Sequence, residues 1–344
     1  MRIEQLTFTR FLAALIIVVF HYGLDVPPFM HPSISFLFSN IGISYFFVLS
    51  GFVMVIAYSK SGKEIAPIQY YRNRFARVYP VYLFALLLSM LTMWICYFPL
   101  TWDGVTMNLL MLQAWFPQYP MLINRAGWTL SVEVLFYLSF PFLYNKLYLK
   151  FRLIPIAVGI LLFWLLSQLL SSYLISIPSL IKEDSTSHHL IYYFPFMHFN
   201  QFLIGNLFGI LLLHSYERFR RNWDIVIIIL LAGMAALLKF SIPYANYHNG
   251  FLALFFAFII LIISLNTGYI TKISNSKIGI FLGEISFGMY ILQIPIHDAF
   301  YKSTKPLYYD HPNWFFYLYL ITLILISAIS YKYAETPLRK LLKK

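Results

Sequence analysis

The sequence predicts an all-α membrane protein, a polytopic bundle of transmembrane helices, on two observations. Of the 344 residues, 60% are hydrophobic and 11% are charged, whereas a soluble globular chain has about 25% charged residues. Apolar runs of about 20 residues recur along the whole chain, and a helix of that length crosses about 30 Å of hydrocarbon. This pattern excludes a soluble enzyme, a disordered chain and a peripheral membrane protein.

About ten spans are predicted from the apolar runs and the breaks that flank them. They cover approximately residues 6–24, 36–58, 79–99, 128–148, 153–177, 195–213, 223–240, 248–266, 278–301 and 313–333. Ten spans place both termini on one side of the membrane, and Lys and Arg concentrate in the connecting segments of that side. Because basic loops mark the cytoplasmic face, we expect both termini to be cytoplasmic. We expect a single integral-membrane domain over 1–344, without a fused extracytoplasmic domain.

The net charge of +12 and the cysteine content exclude other functions. The basic residues are spread over short loops between apolar runs, which is typical of membrane orientation and not of nucleic-acid binding. The single cysteine, Cys96, lies within an apolar run and excludes an intramolecular disulfide. We expect no metal site.

Two ionisable residues, Arg10 and His21, lie in the first span. Ionisable groups inside a membrane are costly and therefore suggest function. A separation of eleven residues is three helical turns plus about 20°, so both side chains project from one face, roughly 16 Å apart along the axis. Snorkelling to the interface would also explain Arg10, and packing near a helix end would explain His21.

The fourth span begins at Trp128 and carries Glu133 one to two turns below the outer surface. This is about the depth expected for His21. A carboxylate beside an imidazole fixes its tautomer and raises its basicity, so the sequence suggests an acid–base pair. The alternative is that Glu133 pairs with another buried polar group for structure alone.

Basic residues in the second predicted cytoplasmic loop, 70–80, suggest an anion site. Arg74 and Arg77 are three residues apart and would be neighbours on one helical face. Guanidinium groups suit phosphate oxygens, so these two residues and Arg10 could form one phosphate clamp. Membrane orientation alone would also explain them.

The ninth span carries a polar stripe on one helical face, which must face the bundle interior or a wet cavity. Its members are Ser286, Tyr290, Gln293 and His297. Trp128, at the start of the fourth span, is grouped with Ser286, Tyr290 and Gln293 as a candidate substrate-contacting or structural residue. Helix–helix hydrogen bonding without catalysis is the alternative explanation.

These features occur together in an ordered set that covers nearly the whole chain. The set consists of Arg10-x10-His21, Tyr45-Phe46-Phe47-Val48-Leu49-Ser50-Gly51-Phe52, Arg74-x-x-Arg77 with Pro80, Trp128-x4-Glu133 with Phe136-Tyr137 and Pro141, Ile285-Ser286-Phe287-Gly288-Met289-Tyr290-Ile291-Leu292, and Ala334-Glu335-Thr336-Pro337-Leu338-Arg339. It resembles the acyltransferase 3 family, membrane enzymes that O-acetylate bacterial cell-envelope and exported carbohydrates.

The resemblance implies an enzyme of the inner (plasma) membrane with no bound cofactor. Acetyl-CoA or another acyl-CoA would be the donor, and a hydroxyl of a carbohydrate or lipid-linked glycan would be the acceptor. His21 would be the catalytic residue, as general base or transient acyl carrier, accompanied by Arg10, while Arg74 and Arg77 would bind the donor's phosphates. The family often has histidine where this chain has Gln293. Partners would include membrane lipids but no nucleic acid, with direct delivery or a separate transferase partner as alternatives.

Two other functions are consistent with a polytopic bundle that carries intramembrane polar residues. A transporter or flippase for a lipid-linked saccharide could use these residues as a translocation path, but the two related halves common in transporters are not detectable. A non-enzymatic scaffold would leave the pairing of Arg10 and His21 without a purpose.

Overall fold

Apolar runs form long helices throughout this chain, because inside a membrane only a helix or a closed barrel pairs every backbone polar group. The computed structural model describes residues 3–39, 41–59, 62–96, 98–240 and 242–342. Two predicted spans, 36–58 and 79–99, each include one residue outside these ranges, residue 40 and residue 97. Within the described ranges the chain is helical, with one isolated bridge between Arg221 and Asn266 and no strand.

Ten helices coincide with the ten predicted spans. They are α1 (Gln5–Tyr22), α2 (Ile41–Tyr58), α3 (Pro67–Ile95), α4 (Trp128–Leu143), α5 (Leu153–Ile175), α6 (Pro195–Phe219), α7 (Asp224–Phe240), α8 (Ala253–Leu265), α9 (Lys277–Ser303) and α10 (Pro312–Ser330), and the short helix α11 (Thr336–Leu342) follows. Shorter helices and helical turns occupy Pro32–Ser35, Trp102–Leu109, Gln113–Trp115, Arg125–Gly127, Tyr144–Tyr148, Pro178–Leu180, Thr186–Tyr193, Tyr269–Ser274, Lys305–Asp310 and Tyr331–Glu335.

The predicted all-α polytopic bundle is confirmed. Together with the short turns that extend them, 8 helices of the described chain are long and apolar enough to cross a membrane. Helices α7 and α8 are shorter, with 17 and 13 residues. Ten crossings, and with them the placement of the termini, stay a prediction.

The start of α3 differs from the prediction. This helix begins at Pro67 and continues through Pro80, so Arg74 and Arg77 lie in a helix and not in a loop. A prediction based on the length of apolar runs did not include the first turns of α3, because these turns carry charged residues. They fold as helix because Pro67 is at the first helical position, where proline costs little, and because Tyr70 is buried against the bundle.

Glycines allow the central helices to cross closely. A Cβ atom on Gly51 of α2 would lie 2.1 Å from the Phe202 carbonyl oxygen of α6, and one on Gly205 of α6 would lie 2.0 Å from the Val48 carbonyl oxygen. A Cβ on Gly283 of α9 would lie 2.0 Å from the Thr7 carbonyl oxygen of α1. Small residues at such crossings are a common way to pack helices in membranes. These crossings determine how α1, α2 and α9 surround the candidate site.

Basic residues concentrate at one end of the bundle. Helices α1, α3 and α9 begin there and α10 ends there, and we call it the basic end because Arg72, Arg74, Arg77, Arg339 and Lys340 belong to it. Helix α11 packs on α3 at this end, where Nε of Arg72 donates a hydrogen bond of 3.0 Å to the carbonyl oxygen of Leu342. We call the other end of the bundle, where α1 ends with His21 and Tyr22, the opposite end.

Candidate active site

A cavity of about 480 Å³ lies among α1, α2, α3, α4, α9 and the C-terminal segment that ends in α11. Along α2 its lining extends from Ile43 to Ala57, which is about 21 Å at the rise of an α-helix. This volume is typical of a small-molecule site. Its ionisable lining residues are Arg10, Arg74, Arg77, Glu133, Tyr137, Glu284, Tyr290, Tyr331, Glu335 and Arg339.

The cavity brings together the three arginines that the sequence suggested as a phosphate clamp. Arg10 comes from α1, and Arg74 and Arg77 come from the first turns of α3. The charges of Arg10 and Arg74 both act on Arg77. In the described part of the chain, no carboxylate oxygen lies within 4.0 Å of any of these guanidinium groups. Guanidinium groups without a direct ion pair in a partly buried cavity favour an anionic ligand.

Tyrosine rings surround Arg74. Its guanidinium carbon lies 5.3 Å from the ring centre of Tyr58, 5.6 Å from that of Tyr70 and 6.0 Å from that of Tyr137. It donates a hydrogen bond of 3.2 Å to the Tyr58 hydroxyl, while its Nε has no partner among the described residues. Cation–π contacts hold such a charge in place. Arg74 is therefore fixed more firmly than the other arginines of the cavity.

Glu133 lies with the arginines and not with His21. The Tyr137 hydroxyl donates a short hydrogen bond to Oε2 of Glu133, and the charges of Arg77, Arg10 and Arg74 act on this carboxylate. The expected pairing of Glu133 with His21 is therefore not what the structure contains. The depth estimate located Glu133 along α4, but it could not determine which neighbouring helices the carboxylate would face.

His21 has a different partner, Gln293 of α9. Nδ1 of His21 lies 2.9 Å from Oε1 of Gln293, and Nε2 of Gln293 donates to the carbonyl oxygen of Tyr290 at 2.8 Å. The second bond orients the amide so that its oxygen faces the imidazole. An amide oxygen only accepts, so Nδ1 of His21 carries the proton and Nε2 keeps its lone pair in the neutral ring. His21 is exposed, so its Nε2 can act as a base at the opposite end of the bundle.

The cavity stops short of His21. His21 is not among the described residues that line it, and on α9 the lining reaches Tyr290, about 4.5 Å along the axis below Gln293. The Tyr290 ring lies 5.9 Å from that of Phe46, another lining residue, and Tyr290 is 6% exposed. Tyr290 is therefore the described lining residue of α9 that lies closest in sequence to Gln293, the partner of His21.

Three other residues of the sequence-derived site lie outside the cavity. Ser286 is fully buried and its hydroxyl donates within α9 to the carbonyl oxygen of Gly283 at 2.7 Å, which is a structural bond. His297 stacks on Tyr22 with ring centres 4.0 Å apart. Trp128 is 4% exposed and packs against His198 and other rings, which is a structural role.

Sequence reasoning missed two lining residues, Glu335 and Arg339. Glu335 is 7% exposed, and the charges of Arg10, Arg77 and Arg339 act on it. Both residues were quoted in the last motif, but no role was given to them. Their spacing of four residues, which puts them on one helical face, is the signal that could have identified them.

The apolar helices and the arginine-lined cavity between them define the class of this molecule, a multi-pass membrane protein with a basic cavity in its helix bundle. The family model described as an acyltransferase domain, acyltransferase 3, matches residues 3–332. The chain belongs to this family.

Two similar proteins have names that state an activity. Acyltransferase MdmB of Streptomyces mycarofaciens is 37% identical over 114 residues, which are 31% of this chain and 28% of that protein. O-acetyltransferase OatA of Staphylococcus aureus (strain NCTC 8325 / PS 47) is 25% identical over 333 residues, 87% of this chain and 52% of that protein. The chain thus spans about half the length of OatA and less of MdmB. No solved structure matches the chain.

Proposed function

We propose that this protein is a membrane O-acyltransferase that moves an acetyl or short acyl group from acyl-CoA to a carbohydrate hydroxyl. The observation that carries this proposal is the cavity about 21 Å long in which Arg10, Arg74, Arg77 and Arg339 meet. CoA carries its phosphates at one end and a thioester at the other end of a long neutral arm. Guanidinium groups suit the phosphates, and the remaining length suits the arm. The abundance of basic residues in alternate loops supports a cytoplasmic basic end, where acyl-CoA is present.

The arm extends along α2 towards Tyr290, so the thioester stops about one helical turn below Gln293 and His21. For the carbonyl carbon to reach His21, the rings of Tyr290 and Phe46 move apart. In their closed position they separate the cavity from the exposed imidazole. This separation limits hydrolysis of the thioester when no acceptor is present.

In the direct route, His21 acts as a general base. Its Nε2 takes the proton of the acceptor hydroxyl while the oxygen attacks the thioester carbonyl. The tetrahedral intermediate collapses, the C–S bond breaks, and the leaving thiolate takes the proton from the imidazolium. The products are an O-acyl ester and free CoA. Gln293 orients the imidazole throughout, because it holds the proton on Nδ1.

In the relay route, Nε2 of His21 itself attacks the thioester, and CoA leaves before the acceptor binds. The acyl group then resides on Nε2 as an acyl-imidazolium, since the Nδ1 proton stays bonded to Gln293, and CoA has left as the thiolate. The acceptor hydroxyl attacks this group from the opposite end, the bond between the acyl carbon and Nε2 breaks, and the hydroxyl proton passes to Nε2. The imidazolium returns this proton to the solvent, and the CoA thiolate takes one up. Both routes yield the same products and use the same nitrogen of His21.

The acceptor that we propose is a cell-envelope or exported carbohydrate, free or lipid-linked, reached from the opposite end of the bundle. The name of the OatA relative, O-acetyltransferase, supports an oxygen acceptor and an acetyl group. The exposure of His21 at that end supports an acceptor that approaches from outside the cavity.

The test uses membrane vesicles from cells that produce the full chain. Vesicles are incubated with acetyl-CoA labelled in its acetyl group, and label in the carbohydrate fraction is measured. We expect incorporation by the native chain and a loss of about 100-fold or more for His21→Ala. His311→Ala, which removes an exposed imidazole at the same end, is the matched control and leaves incorporation unchanged.

Other outcomes of this experiment separate the alternatives. Label that stays on the protein when no acceptor is present, and is lost in His21→Ala, identifies the relay route. Movement of a saccharide across the vesicle membrane without label in carbohydrate would indicate a transporter instead. Full incorporation by a correctly inserted His21→Ala variant would overturn the proposal.

A further inference from the structure

The C-terminal segment completes the cavity at the basic end. Helix α10 ends at Ser330, and a wide helical turn follows over Tyr331–Glu335. Helix α11 comes next, and its residue Arg339 lines the cavity. The hydrogen bond from Arg72 to the carbonyl oxygen of Leu342 holds the last turn of α11 against α3. Arg339 is half-buried there, whereas its neighbour Lys340 is exposed.

The charges of the cavity follow an order from α4 to α11. The Glu133 carboxylate lies among Arg77, Arg10 and Arg74. The Glu335 carboxylate lies among Arg10, Arg77 and Arg339. The charges of Arg10 and Arg77 act on both carboxylates. Arg74 lies on the side of Glu133, because its guanidinium carbon is 6.0 Å from the ring centre of Tyr137, whose hydroxyl bonds to Glu133. Arg339 follows Glu335 by four residues in the C-terminal segment.

The two outer arginines differ in what holds them. Arg74 is held by the tyrosine rings described above. Arg339 has no such ring contact and no carboxylate oxygen within 4.0 Å in the described chain. It projects from a short helix at the end of the cavity that is farthest from Tyr290. A guanidinium without a direct ion pair at that place is suited to a phosphate group that enters last.

We propose that Arg339 binds the 3′-phosphate of CoA, while Arg10 and Arg77 bind the diphosphate. This inference rests on the proposed function. CoA carries phosphate at two places, the diphosphate that joins the arm to the nucleotide and the monoester on the ribose. When the thioester points to Tyr290, the ribose monoester is the phosphate nearest the basic end. Arg339 is the arginine that the C-terminal segment brings to that position.

The test compares two ligands that differ only in this phosphate, CoA and 3′-dephospho-CoA. Binding to the purified full chain in a neutral detergent is measured by calorimetry, so that no anionic lipid headgroup competes. We expect Arg339→Gln to weaken CoA binding by about ten-fold and to leave 3′-dephospho-CoA binding unchanged. Arg77→Gln should weaken both ligands, because both carry the diphosphate.

A control variant and the second ligand distinguish a lost phosphate contact from a general loss of charge or of folding. Lys340→Gln removes the adjacent exposed charge and should change neither affinity. Unchanged 3′-dephospho-CoA binding by Arg339→Gln shows that this variant is folded. Equal weakening of both ligands by Arg339→Gln, or no weakening of CoA, overturns the assignment of the 3′-phosphate while the donor site stands. Failure of the native chain to bind either ligand would overturn the proposed function as well.

Discussion

The imidazole of His21 is bonded to Gln293, with 2.9 Å between Nδ1 and Oε1, and this contact joins the end of α1 to α9. Gln293 is fully buried, and its own amide nitrogen is held by the Tyr290 carbonyl oxygen. The orientation of the amide, and with it the tautomer of the imidazole, is therefore fixed by backbone geometry. A glutamine thus determines which nitrogen of His21 is the base.

Replacement of Gln293 tests this relationship. Gln293→Leu removes the acceptor for Nδ1, so the ring can rotate or adopt the other tautomer. We expect the rate of acetyl transfer (kcat) to fall by about ten-fold or more while the KM for acetyl-CoA changes little. Gln293→Glu keeps an acceptor at the same position and should recover a large part of the rate. Equal kcat values for Gln293→Leu and the native chain would contradict the orienting role.

The ring pair of Phe46 and Tyr290 provides a second prediction. Phe46→Ala removes one of the two lining rings that we propose as a barrier between the cavity and His21. We expect water to reach the thioester more easily, so release of free CoA from acetyl-CoA without acceptor should rise by about ten-fold. The release is followed with a thiol reagent. Phe98→Ala, which removes an exposed ring outside the cavity lining, is the control. A slower release in Phe46→Ala than in the native chain would show that the ring pair does not act as a barrier.

Most of the fold followed from the sequence because apolar length and helix formation are coupled in a membrane. Each predicted span coincides with a helix. The exception, the start of α3, lies where charged residues enter a helix whose polar face is shielded by protein. Hydropathy alone does not recognise such a turn, since it measures each residue without its partners.

The candidate site was less accessible from sequence. The grouping of Arg10 with Arg74 and Arg77 followed from charge and topology, and the cavity contains all three. The partner of Glu133 could not be predicted from the sequence, because the direction of a side chain depends on how each helix is rotated about its axis. The inclusion of Arg339 depends on the turn over Tyr331–Glu335, which the sequence pattern does not reveal.

The third prediction concerns Glu133 and distinguishes two roles for its carboxylate, a counter-charge to the arginines and a catalytic acid. Its carboxylate lies among three arginines and beside Tyr137. Glu133→Gln should leave these guanidinium groups less balanced, lower the melting temperature of the ligand-free protein and tighten CoA binding by about three-fold or more. The value of kcat should stay within about ten-fold of the native value, because Glu133 has no bond to His21.

The measurements for Glu133 are thermal unfolding with and without CoA, and calorimetry. Bound CoA should stabilise Glu133→Gln more than the native chain, since the gain in stability grows with the ratio of ligand concentration to Kd. Glu217→Gln removes an exposed carboxylate near the end of α6 and should change neither quantity. A loss of kcat by about 1,000-fold with unchanged CoA binding would instead identify Glu133 as a catalytic residue.

The crossing of α2 and α6 provides the last prediction, which concerns stability. A Cβ atom on Gly51 would lie 2.1 Å from the backbone oxygen of Phe202, a contact that no side-chain rotation relieves. Gly51→Ala therefore forces the two helices apart and should cost about 1–3 kcal/mol or more of stability. Gly159→Ala is a matched control, because a Cβ on Gly159 of α5 meets no atom within 4 Å. Gly159→Ala should leave the free energy of unfolding unchanged or raise it by at most about 1 kcal/mol, since alanine favours helix more than glycine does. Thermal unfolding of the two variants in detergent should thus give shifts of opposite sign or clearly different size, and equal shifts would show that the close crossing does not limit stability.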